Sequence, residues 1–150
     1  MTNRTEDTSL RKNTGMEDMR VKFSTLWIFA MFNYLYADVM TLMDPVFKKQ
    51  ITTGTAGSIQ MTQGFLLGAA ILMETAIAMI LLSRVLKYRV NRWANIIAGV
   101  IHTAAVSLSM FVGTPTLYYV FFAAIEIACT LLIVWYAWKW KPEAALAISG

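Results

Sequence analysis

Four stretches of this chain, at about 21–43, 61–83, 93–112 and 116–138, hold few or no charged residues. Each is close to the ~20 residues with which an α-helix crosses a ~30 Å hydrocarbon core. A helix in a water-soluble bundle sets an apolar stripe against a charged face, yet the second stretch has only Glu74 and the third has no Asp, Glu, Lys or Arg after Arg92. A central charge costs insertion roughly 3 kcal/mol, and each Leu, Ile or Phe returns roughly 0.5. The nine Leu, Ile and Phe residues between 61 and 83 therefore outweigh Glu74. Composition agrees, since 57% of the residues are hydrophobic and 15% charged, against about 25% charged in soluble domains. The expected fold is all-α, a four-helix transmembrane bundle.

Lys and Arg orient it. Arg4, Arg11, Lys12, Arg20 and Lys22 precede the first span; Arg84, Lys87, Arg89 and Arg92 join the second to the third; Lys139 and Lys141 follow the fourth. Only Lys48 and Lys49 lie on the opposite side. The positive-inside rule then places both termini in the cytoplasm, N-in/C-in. All five tryptophans (Trp27, Trp93, Trp135, Trp138, Trp140) fall near that face, as an interfacial belt would. The net charge of +4 is thus a topology signal, and nucleic acid is not an expected partner.

Residues 1–19 are polar and mixed in charge, which predicts a disordered cytoplasmic segment, with Met16 or Met19 as alternative starts. The membrane domain covers 20–141, and 142–150 form a short cytoplasmic tail. The first apolar block is longer than the h-region of a signal peptide and no A-x-A site follows it. Asp44-Pro45 ends the first span, Lys48 to Gln60 make an outside loop, and Gly113-Thr114-Pro115 make a tight outside turn.

Ionisable residues inside spans are expensive and face a bundle interior or a cavity. There are four: Asp38, Glu74, His102 and Glu126. Glu74, His102 and Glu126, with Asn33, fall near mid-membrane, and Asp38 about 7 Å further out at 1.5 Å per residue. On the third span Asn95, Gly99, His102, Val106 and Ser109 recur at helical spacing, predicting an inward polar stripe. Gly64, Gly68, Ala69 and Gly99 allow close helix approach, and Gly64-x-x-x-Gly68 matches the small-residue packing motif. Phe32, Tyr34, Tyr36, Tyr119 and Phe122 are candidate pocket-lining aromatics.

Glu74, His102 and Glu126 in one layer would share protons. Such a set suits binding or moving a proton or small ligand. The alternatives are acid/base chemistry on a lipid-soluble substrate and a non-catalytic accessory subunit in which the polar groups fix helix register. Whether the chain is an enzyme stays open. One cysteine, Cys129, excludes an intrachain disulfide, a CxxC pair and a cysteine zinc site. A single histidine excludes a bis-His haem, and di-iron Glu-x-x-His repeats, HExxH, P-loop and dinucleotide patterns are absent. No cofactor or metal is expected. The expected partners are the lipid bilayer and, because four helices enclose little volume, a further copy in a homo-oligomer.

The run Ser24-Thr25-Leu26-Trp27-Ile28-Phe29 through Asn33-Tyr34 and Ala37-Asp38 to Met43-Asp44-Pro45, with Glu126 ahead of Trp135-Tyr136-Ala137-Trp138, resembles a family of small bacterial four-span membrane proteins of unknown function. The likeness covers about residues 20–141. More distantly, four helices with an acid in the second span are similar in layout to the DoxX-like group. The resemblance implies an integral bundle of the bacterial inner membrane and draws attention to Asn33 and Asp38. It implies no reaction.

Overall fold

A computed structural model describes the backbone of residues 3–56, 59–112 and 115–140. The 142–150 tail and Gly113-Thr114 of the predicted turn lie outside the described residues. The chain forms α1 (Asn3–Met43), α2 (Pro45–Thr52), a hairpin of β1 (Thr55–Ala56) and β2 (Ile59–Gln60), then α3 (Gln63–Val85), α4 (Tyr88–Ser109) and α5 (Leu117–Lys139).

Local chemistry sets these boundaries. No proline interrupts α1, which runs back to Asn3 through the segment whose composition predicts disorder. It ends where Pro45 removes a backbone donor and restricts the residue before it. Asp44 then caps α2, its carboxylate accepting from the Val46 N–H at 2.8 Å, with Pro45 in the first helical turn where its missing donor costs nothing. The predicted outside loop thus contains a short helix and a hairpin. Gly54, at φ 75°, makes the turn between them, a conformation open to glycine at no steric cost. Thr62 caps α3 by accepting from the Phe65 N–H at 3.2 Å.

Three helical segments, Thr14–Met43, Gln63–Val85 and Leu117–Lys139, are long and apolar enough to cross a membrane. The fourth predicted span lies on α4, which is less apolar because its buried face carries Asn91, Asn95 and His102. α1 packs on α3 and α5, α5 packs most extensively on α4, and α4 meets α3 along a thinner seam. Helices α1 and α4 meet across the interior: Trp27 bonds Asn95 and Tyr34 bonds His102. The partners advance seven residues on each helix, so α1 and α4 run parallel.

Each helix buries one stripe, rich in aromatics on α1 and mostly small or polar on α4 and α5, and sets large apolar residues on its other side. Phe23, Trp27, Ala30, Tyr34 and Ala37 form the buried stripe of α1, Ala76, Met79 and Ser83 that of α3, and Ala123, Glu126, Thr130, Ile133 and Ala137 that of α5. Phe29, Phe32, Leu35, Leu67, Leu81 and Phe121 are exposed. Water would penalise such a surface; hydrocarbon would not. Of the five tryptophans, Trp93, Trp135 and Trp138 are exposed as a belt requires, but Trp27 and Trp140 are buried. The basic connection has a structural use too, because Arg92 donates to the Ala137 and Trp138 carbonyls at 3.0 and 3.1 Å, satisfying the end of α5 where a cation is favoured.

Of Gly64, Gly68 and Gly99, only Gly99 is used for close approach, and the Gly64-x-x-x-Gly68 motif is not. A Cβ at Gly99 would lie 2.7 Å from Val134 Cγ2 and 3.3 Å from the Thr130 carbonyl, whereas one at Gly68 would meet nothing within 4 Å. Gly99→Leu should therefore cost about 2–3 kcal/mol through overpacking, while Gly68→Leu should leave stability nearly unchanged. Reversible unfolding in mixed micelles measures both.

Candidate functional site

The interior polar groups form a file of three layers. Trp27, Ser83, Asn91 and Asn95 make the first, near the end of the molecule that holds the basic connection. Asn95 Oδ1 accepts from Trp27 Nε1 at 2.8 Å and from Ser83 Oγ at 3.3 Å. Asn95 Nδ2 donates to the Asn91 backbone carbonyl at 2.9 Å and to Asn91 Oδ1 at 2.6 Å. Asn91 Nδ2 in turn donates to the Ser83 carbonyl at 2.6 Å. Both amides are fully buried and every polar side-chain atom has a partner, which marks the layer as helix-joining. The sequence pointed to Asn95 but missed the rest; Asn91 stands one turn before it on the same stripe, the signal that extends the pattern.

The second layer is His102 with Tyr34. The imidazole is buried, its Nδ1 lies 3.2 Å from the Tyr34 hydroxyl, and its ring is edge-on to Trp27 at 5.4 Å. The Leu72 backbone comes close to the ring, but Nε2 has no hydrogen-bond partner.

Glu126 opens the third. Its side chain is buried, its Oε1 has no partner, and it lies within electrostatic reach of Asp38, Tyr34 and Tyr119. Asp38 is exposed, so this end of the file reaches the surface. Tyr119 is half-buried and its hydroxyl lies 2.5 Å from Ser109 Oγ.

The structure thus brings together Tyr34 and His102, and Glu126 with Asp38 and Tyr119. It does not bring Glu74 to them: that side chain is exposed on α3, because Ala76, Met79 and Ser83 take the inward face and Glu74 points nearly the opposite way at 100° per residue. Asn33 donates to the Phe29 carbonyl of its own helix at 2.9 Å and does not join the file. Phe32 and Tyr36 are exposed; Phe122 is half-buried and packs edge-on to Phe121. No group of three His, Cys, Asp or Glu side chains that could hold a metal ion occurs among the described residues. Cys129 is buried and its thiol donates to the Leu26 carbonyl at 3.3 Å.

Chemically, a ring nitrogen and a carboxyl oxygen are left without partners in the interior, with one tyrosine in reach of both groups. Buried polar atoms are rarely left so, since each costs roughly 1–3 kcal/mol.

Searches of the curated proteins and of the solved structures find no match to the chain, and nothing in the comparisons supports the likeness to the DoxX-like group. Residues 14–147 match the sequence profile of DUF6326, described as a family of unknown function. That stretch includes the whole polar file and nearly all of the chain, which therefore belongs to the DUF6326 family.

Proposed function

We propose that α4 is a fourth crossing, so that α1, α3, α4 and α5 form a four-helix transmembrane bundle of a bacterial inner membrane with both termini cytoplasmic, and that its interior binds or relays a proton or a small hydrogen-bonding ligand. Supporting the fourth crossing, α4 exposes Ile97, Val100, Ile101 and Leu108, an apolar outer face that hides its polar stripe from lipid. The excess of Lys and Arg at the α3–α4 connection supports the orientation. A membrane-impermeant maleimide should label Thr53→Cys in intact cells and Lys87→Cys only after permeabilisation. The reverse pattern would invert the topology.

The functional reading rests on one observation: His102 Nε2 and Glu126 Oε1 are buried without partners. The intramembrane polar groups that only hold helices together here, such as Asn91 and Asn95, are fully bonded; these two atoms are not. Both can take or give up a proton or accept a hydrogen bond, on a file that reaches the surface at Asp38. Protein reconstituted in liposomes with a trapped pH dye should pass protons when a potential is imposed, at a rate well above empty vesicles. Rates equal to empty vesicles, together with a co-purifying lipid-soluble compound, would favour a membrane enzyme instead.

A further inference from the structure

The outer face of α3 is the most conspicuous surface that the interior does not explain. Gln63, Leu67, Ala70, Glu74, Ile77, Leu81 and Arg84 succeed one another at steps of four and three, and all seven are exposed. That spacing is a heptad seam, the pattern by which one helix receives another with a left-handed crossing. Of the three apolar segments, α3 is also the least buried within the chain. At the seam's centre stands Glu74, which makes no hydrogen bond or ion pair among the described residues and lies midway along the helix. A mid-span carboxyl against lipid is costly and calls for a partner.

We propose that this seam is the contact with a second copy of the chain, α3 against α3 across a two-fold axis normal to the membrane, with Glu74 facing the partner's Glu74 and the two carboxyls sharing a hydrogen bond. Two copies inserted with the same orientation run parallel, so equivalent residues meet at equal depth. A carboxyl is its own complement under those conditions, because a protonated acid donates to a carboxylate. No lysine or arginine lies between Gln63 and Ser83 to offer an ionic partner. Ala70, one turn away, leaves room for the paired carboxyls, while Leu67, Ile77 and Leu81 supply the apolar contact. The proposal does not depend on the interior file, whose residues point the other way.

The test is oxidative cross-linking of single-cysteine variants in native membranes, read as dimer on non-reducing gels, with the unsubstituted chain and its buried Cys129 as background. Ala70→Cys, Ile77→Cys and Leu81→Cys should form dimers; Leu66→Cys and Leu82→Cys, exposed on the flanks of the same helix, should not. In the Leu81→Cys background, Glu74→Gln should keep dimerisation because an amide also donates and accepts, whereas Glu74→Ala should lower it roughly three- to tenfold. Absent dimers, or equal yields on and off the seam, would overturn the proposal. So would full dimerisation of the Glu74→Ala chain, which would remove the carboxyl pair.

Discussion

Glu126→Gln should cut proton or ligand turnover about a hundredfold, the scale set by loss of a positioned acid–base group, and leave the fold standing. The two side chains have the same shape. Oε1 has no partner to lose, so the stability change should stay below about 1 kcal/mol. A defect with an unchanged unfolding curve therefore reports on chemistry. Two further variants locate it. Tyr34→Phe removes the hydroxyl that lies 3.2 Å from His102 Nδ1 and should weaken turnover by about tenfold if the imidazole must be held in place. Thr25→Val breaks only a hydrogen bond within α1, to the Val21 carbonyl, and should change nothing. Dye-loaded proteoliposomes and unfolding in mixed micelles measure the pair of quantities; equal turnover in Glu126→Gln and the unsubstituted protein would reduce Glu126 to a buried structural acid.

Asn95→Leu should have the opposite signature, a large loss of stability. Leucine fills the same space but offers no polar atom to Trp27, Ser83 or Asn91. Two interhelical bonds go, at about 0.6–1.7 kcal/mol each in a membrane interior, and the fully buried Trp27 indole N–H and Ser83 hydroxyl are left without that acceptor at roughly 1 kcal/mol or more apiece. The sum is about 3–5 kcal/mol, enough to lower the unfolding midpoint clearly. Because Trp27 and Ser83 sit on α1 and α3, the substitution loosens both helices from α4. A midpoint within error of the unsubstituted protein would mean that the amide layer contributes nothing net.

The sequence discloses these features unequally, for physical reasons. The apolar segments of α1, α3 and α5 are readable because charge is excluded from hydrocarbon, and the end of α1 because Asp44-Pro45 can do little else. The rotation of α4 is readable too: its polar and apolar residues are separated, so Asn95, Gly99 and His102 declare the buried side. On α3 both sides are apolar. Nothing in the pattern tells whether Leu67, Ala70 and Ile77 or Ala76, Met79 and Ser83 turn inward, and the lone acid predicts an interior position because acids in spans usually take one, whereas Glu74 is exposed. The one chemical difference between the two sides is Ser83, whose hydroxyl finds Asn95 of α4 in the interior. Trp27 misleads differently: an indole near the end that carries the basic connection suits a headgroup region as well as it suits a buried donor to Asn95, and composition does not separate the two.

The parallel pairing of α1 with α4 makes chain length itself a constraint. Trp27 to Tyr34 and Asn95 to His102 are equal seven-residue intervals, two full turns each. A residue added to or removed from either interval would swing one contact about 100° out of register while the other stayed in place. Length variation among relatives should therefore be excluded from these two intervals and gather in the α2 and hairpin segment, whose described residues make no hydrogen bond to the polar file.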